Sequence, residues 1–267
     1  MLRPEVFLSG NLLGGAIMSL VIGAESHIGK RRARNEDRIF FRLADDGSGA
    51  SSGHALFAVA DGMGGAAGGE LASSLAIETL SKASQGVLTG NAELELRRLF
   101  LEANAAVHAR ALTSARYQGM GTTLVAAIVR DGQLRVANVG DSRAYRLSEN
   151  TIRQITQDHT LVEEQVRAGL LTKERARSST RRNLLTRCVG VAETVDVDVF
   201  GPDDLSAGDT VLLCSDGLHS AVEDGEILEV VASHPPEMAA RELVQLANEH
   251  GGRDNVSVIV ARWWPAG

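Results

Sequence analysis

Four aspartates stand where an apolar run gives way to a small or turn-forming residue. They are Asp61 in Ala58-Val-Ala-Asp61-Gly62, Asp141 in Val139-Gly-Asp141-Ser142, Asp216 in Leu212-Leu-Cys-Ser-Asp216-Gly217, and Asp254 in Gly251-Gly-Arg-Asp254-Asn255. A carboxylate at a strand terminus is held by rigid backbone yet reaches past the core rim, so several from neighbouring strands converge on one point. Bare convergent carboxylates repel one another and take up protons, whereas divalent cations neutralise the cluster and bind oxygen ligands. The chemistry to expect is a hard-metal site for Mn²⁺ or Mg²⁺. Gly62, lacking a Cβ, lets its own carbonyl approach such an ion as a further oxygen ligand. Taken singly, each of these aspartates is as well explained by an ordinary turn as by a ligand, and it is the recurrence that favours a site. The segment Arg32-Ala-Arg-Asn35-Glu36-Asp37 adds a guanidinium beside two acids. Its neighbours Arg31, Arg34 and Arg38 read as a solvated basic stretch.

Short apolar runs bounded by turn residues supply the strands that would carry these groups: Ala55 to Ala60, Thr122 to Val129, Leu134 to Val139, Ser142 to Leu147, Thr210 to Cys214 and Val256 to Ala261. Arg130-Asp-Gly132 joins two of them as a tight antiparallel hairpin with the Asp-Gly signal. Helices are expected at about 68–83 and 92–111, the second with Leu96, Leu99, Phe100, Ala103 and Val107 on one face. Another, opened by Pro235-Pro236, stacks Ala239, Leu243, Leu246 and Ala247. Hairpin-linked strands with helices in separate segments point to an α+β sandwich, with antiparallel sheets packed together and helices outside.

With 267 residues, 44% of them hydrophobic, the chain has material for a large core, and no repeat or long linker divides it. The formal charge of -7 lacks the concentrated basic field that nucleic-acid binding needs. Cys188 and Cys214 form neither a C-x-x-C pair nor a zinc spacing, which fits a reducing cytoplasm; Cys214, in Thr210-Val-Leu-Leu-Cys214, reads as a small buried hydrophobe. Val6 to Ala24 has no charged residue, but its glycines, Ser9 and Asn11 make it a poor membrane or signal segment, so a soluble protein is expected. Residues 1–17 are read as a poorly ordered extension, with Met18 a candidate start for a single domain at 18–267.

Ordered blocks now carry a resemblance. Gly29-x-x-Arg32-x-x-Asn35-Glu36-Asp37, Ala60-Asp61-Gly62-Met63-Gly64-Gly65, Gly119-Met-Gly-Thr122-Thr123, Asn138-Val-Gly-Asp141-Ser-Arg143, Thr156-x-Asp158-His159, Asn183-x-x-Thr186-Arg187, Ser215-Asp216-Gly217 and Asp254-Asn255 follow in sequence over about residues 20–263. Each is weak alone; together they resemble the PPM family, protein phosphatases of type 2C, in bacterial stand-alone form. The resemblance implies a four-layer αββα sandwich, two antiparallel five-stranded-type sheets flanked by helix pairs. It implies that Asp61 bridges two metal ions, that Gly62 gives its carbonyl to one, and that Asp216 and Asp254 complete the other. Glu36 and Asp37 would hold metal-bound waters, and Asp141 with Asp216 resembles the pair that binds a third, weaker ion. Arg32 matches the arginine that grips the substrate phosphate, and Asn255 would steady the site by hydrogen bonding. Residues 156–190 resemble the flap beside the family's active site, where Lys173, Arg175, Arg177, Arg181, Arg182 and Arg187 are as well read as a solvated stretch as a phosphopeptide-docking surface. His159 is expected to be a structural hydrogen-bonder.

The implied activity is metal-dependent hydrolysis of phosphoserine and phosphothreonine in protein substrates. A water bridging ions roughly 3.5–4 Å apart would attack phosphorus in line, with no covalent intermediate. Many eukaryotic members carry histidine after the Asp-Gly pair as a proposed general acid; here Met63 stands instead, which leaves a metal-bound water or the third ion for that task. A monomer opposing a serine/threonine kinase, with no nucleic-acid or membrane partner, is the expected biology. A non-catalytic binding module of the same fold and another two-metal hydrolase, such as a nuclease, are the rival readings. The intact acids disfavour the first and the absent basic groove the second.

Overall fold

Strands buried on both faces read as continuous apolar runs rather than as alternating ones, and the central strands of this chain do so. The structure is a computed structural model that describes residues 10–13, 16–45, 51–64, 68–84 and 90–265. One six-stranded sheet runs β1 (Gly10–Leu13), β2 (Ala16–His27), β12 (Val256–Pro265), β11 (Thr210–Cys214), β8 (Arg143–Ser148), β9 (Thr151–Gln154). The other runs β10 (Asp198–Asp204), β7 (Gln133–Val139), β6 (Leu124–Arg130), β4 (Ser51–Met63), β3 (Asp37–Asp45), with the short β5 (Gly121–Thr122) paired to the end of β4. Neighbouring strands pair antiparallel throughout.

The side chains of β4 show how the layers stack. Ala55, Phe57 and Val59 point between the sheets, meeting Leu20, Ile22, Leu213, Ile259 and Trp263. Leu56, Ala58 and Ala60 point the other way, under α1 (Gly68–Ala83) and α2 (Ala92–Ala111). On the far side, Leu212, Cys214, Val258 and Val260 pack beneath α6 (Asp224–Ser233) and α7 (Pro236–Glu249). The expected four-layer αββα sandwich is therefore observed, with the predicted stripe of α2 wholly buried. In α7, Ala239, Leu243 and Ala247 are buried as expected, and Leu246 is partly so. Asp131 and Gly132 take φ of 51° and 77° in the β6–β7 turn, the left-handed pair that the Asp-Gly signal predicts.

Differences concentrate at the edges. Each sheet has six strands rather than five, because β5 extends one and β1 the other. The expected poorly ordered extension is placed in part: Gly10–Leu13 pairs with Ala16–Ser19, and the candidate start Met18 falls inside β2. Residues 1–9 and 14–15 of that extension, and Gly65 of the Asp-Gly block, lie outside the described residues. The short α6 was not expected, since only Ile227 and Val231 of its ten residues are buried and leave little periodic signal.

Candidate active site

The strand ends open onto one cavity of about 600 Å³ lined by Arg32, Glu36, Asp61, Gly62, Asp141, Asp216 and Asp254. Seven of the nine residues singled out in sequence thus share a pocket, although they come from five separate stretches of chain. Asp37 and Asn255 lie immediately behind them. Ala33, Arg34, Met63, Gly64, Thr123 and the flap residues Asn183, Leu184 and Leu185 complete the lining.

Each acid is fixed by a local reason. Asp61 stands near the end of β4 opposite Asp37 of β3. Its backbone is clamped by the Thr-Thr pair: Asp61 N–H donates to Thr123 Oγ1 (3.0 Å), and its carbonyl accepts from Thr122 Oγ1 (2.8 Å) and Thr123 N–H (2.8 Å). That clamp gives Thr122 and Thr123 their part in the site. Asp216 opens the single turn α5 (Asp216–His219) directly after β11, and Asp141 follows β7. His219 Nε2 reaches the Asp141 carbonyl at 3.0 Å, so one turn of helix ties the two acids together. The pKa of His219 is pushed down to about 3 by burial, which makes its ring a neutral donor there.

Asn255 is the pin of the Arg32 loop. Its Oδ1 accepts Glu36 N–H (2.8 Å), and its Nδ2 donates to the carbonyls of Ile28 (2.8 Å) and Arg34 (2.9 Å). The steadying role expected of it has this concrete form. Arg32 Nη2 donates to Asp254 Oδ2 at 2.6 Å, while Asp254 Oδ1 accepts the N–H of Asn255 at 2.8 Å. Both oxygens of Asp254 are thus engaged, and the Arg32 guanidinium, held above its ordinary pKa chiefly by that hydrogen bond, remains exposed at the mouth.

The absence of a side chain at Gly62 also makes room for a neighbouring element. A Cβ there would lie 2.1 Å from the Gly69 carbonyl oxygen and 2.8 Å from that of Glu36. The missing side chain is used by the first turn of α1, which packs directly against the strand end. Arg38, expected to be solvated, instead donates to the carbonyls of Asn35 (2.9 Å) and Asp37 (2.7 Å) and pairs with Glu70.

The electrostatics are one-sided. Burial, the largest cause, and then the charges of the neighbouring aspartates hold Asp61 and Asp216 well above the ordinary carboxylate range. Asp37 rises to about 6 and Asp141 to about 7, again chiefly by burial. Asp37 Oδ2 accepts Ser215 Oγ–H at 2.8 Å, but Asp37 Oδ1 and Asp216 Oδ1 are buried without a hydrogen-bond partner. Orphaned buried acceptors and clustered like charges are what a bound cation would relieve, and an all-oxygen donor set suits a hard divalent ion. Among the described residues no three His, Cys, Asp or Glu side chains close around a single point. That agrees with Asp254 being held by Arg32, and with the small divalent ions, which keep several waters and need only one or two carboxylates each.

The flap, with α3 (Leu161–Arg167) and α4 (Lys173–Ser178), is tied to the Asp141 loop by His159. His159 Nδ1 accepts Gly140 N–H at 3.0 Å and its Nε2 faces Asp198 at 3.2 Å, the structural role expected of it. Arg187 of the flap pairs with Asp198 at 2.6 Å. A fork from Arg143 to Asp158 (Nη2 to Oδ2, 2.7 Å) was missed in sequence, although both residues stand in the ordered blocks.

Comparison with known proteins follows the same lines. The sequence model described as protein phosphatase 2C matches residues 25–254. The chain is 42% identical over 208 residues to the serine/threonine phosphatase stp of Listeria welshimeri, covering 76% of this chain and 82% of that one. Its fold superposes on the crystal structure of the Mycobacterium tuberculosis serine/threonine phosphatase PstP/Ppp with a TM-score of 0.80 at 36% identity, covering 91% and 98% of the two chains. It also superposes on the catalytic domain of the serine/threonine protein phosphatase PstP in complex with two manganese ions, with a TM-score of 0.79 at 35% identity, covering 92% and 99%. By sequence, fold and the order of its site residues, this chain belongs to the protein phosphatase 2C family.

Proposed function

We propose that this protein is a manganese- or magnesium-dependent phosphatase that removes phosphate from serine and threonine side chains of proteins. The observation that carries the reading is the convergence of Asp61, Asp141, Asp216 and Asp254 on one cavity beside an exposed guanidinium. Asp61, the Gly62 carbonyl, Asp216 and Asp254 would hold two ions, and Asp141 with Asp216 a third. Bound there, such ions lower the pKa of water and neutralise phosphoryl charge, which is the chemistry monoester hydrolysis needs.

The chain's own residues do the rest. Arg32 presents a planar fork suited to two phosphoryl oxygens, and it grips them by exchanging Asp254 for substrate. Glu36, in the lining of the pocket, and Asp37, behind it, orient water through their carboxylates. Asn255 keeps Arg32 and Glu36 on one rigid loop. Met63 and Leu184 line the pocket and neither carries a proton, so a metal-bound water or the third ion would assist the leaving alkoxide. Two cysteines and the lack of any helix among the described residues long and apolar enough to cross a membrane support a cytoplasmic setting. The natural counterpart of such an enzyme is a serine/threonine kinase.

Phosphate release from a phosphothreonine peptide in Mn²⁺, compared with a phosphodiester and with single-stranded DNA, tests the reading. Release from the peptide alone is expected; cleavage of the diester or the DNA in preference would replace it with a nuclease or phosphodiesterase.

The raised carboxylates give a pH prediction. A group whose folded pKa lies above its unfolded one binds more protons when folded, so stability falls as pH rises between the two values. In chelator, the thermal midpoint should drop by several degrees as pH rises from the ordinary carboxylate range through about 7, the value for Asp141. Saturating Mn²⁺ should flatten that slope. A midpoint in chelator that climbs over this range would contradict the arrangement.

A further inference from the structure

The loop that carries Arg32 and Glu36 holds two further guanidinia, Arg34 and Arg38, one on either side of Asn35-Glu36-Asp37. Arg34 and Glu36 line the same cavity, and opposite charges two residues apart on one loop are natural partners. Yet the Glu36 carboxylate makes no hydrogen bond or ion pair among the described residues. Both arginines turn instead to Glu70, in the first turn of α1. Arg38 Nη2 lies 2.9 Å from Glu70 Oε1, and Arg34 Nη1 lies 3.6 Å from Glu70 Oε2. One carboxylate of the helix thus takes up both cations of the loop.

The two cations are held unequally. Arg38 is also anchored to the carbonyls of Asn35 and Asp37, whereas the Arg34 side chain has the Glu70 contact alone among the described residues and is 60% exposed. The Arg34 backbone, by contrast, is pinned, because its carbonyl accepts Asn255 Nδ2 at 2.9 Å. Arg34 is therefore fixed at the rim of the pocket with a head that can be drawn elsewhere. After burial, which raises its pKa most, Glu36 feels Arg32, Glu70, Asp254 and Arg34, so both members of the Arg34–Glu70 pair act on it. Its carboxylate rests against the same turn of α1, since a Cβ on Gly69 would lie 2.6 Å from Glu36 Oε2. Ser73 Oγ, one turn on, donates to the Glu36 carbonyl at 2.5 Å. The helix that seats Glu36 also carries the residue that draws Arg34 away.

We infer that Glu70 is a positioning residue for the metal centre: it keeps Arg34 off Glu36, so that this carboxylate stays free to face metal-bound water. The inference rests on the phosphatase reading and extends it to a residue outside the lining of the catalytic pocket. A cation released into a cluster of acids competes with divalent ions for the same negative charge. Groups that orient the surroundings of a metal commonly set its affinity by about 10- to 100-fold.

Calorimetric titration of Mn²⁺ into the whole protein tests it, with wild type, Glu70→Gln and Glu70→Gln/Arg34→Gln compared. Glu70→Gln is expected to weaken Mn²⁺ binding by about tenfold, because Arg34 then turns to Glu36 while Arg38 stays on its two carbonyls. Removing Arg34 as well should bring the affinity back to within about threefold of wild type, the non-additivity of residues that act through one contact. A purely structural clip predicts the reverse, a double variant that binds no tighter than the single one. Thermal unfolding in chelator, run alongside, should give cooperative melts for both variants, since Glu70 is partly exposed and glutamine is nearly isosteric with glutamate. Unchanged affinity in Glu70→Gln, no recovery in the double variant, or loss of the cooperative melt in Glu70→Gln would each overturn the role of Glu70 and leave the phosphatase reading intact. No Mn²⁺ uptake by wild type would overturn both.

Discussion

Replacing Asp216 with asparagine should lower kcat/KM on a phosphothreonine peptide by about a thousandfold, the scale expected when a group that stabilises developing charge is removed from a pre-organised site. The change is nearly isosteric, so the loss should not come from misfolding. Asp216 Oδ1 is buried without a partner, and its carboxylate sits among Asp141, Asp254 and Asp37 as well as in a desolvated environment. Removing its charge relieves that repulsion. In chelator the variant should therefore melt at a higher temperature than wild type, while the rise in midpoint that Mn²⁺ gives wild type should shrink. Stability and activity would move in opposite directions, as at sites where like charges are held together for function. A variant that kept full activity at controlled low Mn²⁺ would show that Asp216 is a turn residue and no ligand.

The second large effect belongs to Arg32. Arg32→Ala should reduce kcat/KM on the same peptide by about a hundredfold, mostly through a higher KM, since the guanidinium fork binds phosphoryl oxygens in the ground state as well as later. Arg32→Lys should restore only part of the loss, because a point charge cannot supply two parallel donors. Metal affinity separates this role from a scaffolding one. Arg32 occupies Asp254 Oδ2 at 2.6 Å, so its removal frees that oxygen, and the Mn²⁺ concentration for half-maximal activity should stay equal or fall. A large rise in that concentration would mean that Arg32 supports the metal centre.

The acidic part of the site was legible because its carrier has a simple grammar. A strand buried on both faces gives an uninterrupted apolar run, and the first acid after it must sit at the rim, as Asp61 and Asp216 do. The reasons for neighbouring residues were less visible. Gly62 reads as room for a ligand, yet a Cβ there meets the backbone of Gly69, a contact made only when α1 docks. Arg38 and Arg187 read as solvated charges or docking groups, but their partners Glu70 and Asp198 lie on elements whose approach only the fold decides. The same holds for Asn255, whose three hydrogen bonds reach across more than two hundred residues of sequence. The edge strand β1 and the short α6 escaped because few residues of either carry periodic apolar signal, whereas α2 with its full buried stripe did not.

Equilibrium dialysis of Mn²⁺ against wild-type protein and Asp61→Asn tests the central claim most directly, because it counts ions without relying on turnover. At least two Mn²⁺ per wild-type chain are expected, with most of that binding lost in the variant. Binding of one ion or none by wild type, or binding that Asp61→Asn leaves unchanged, would contradict it.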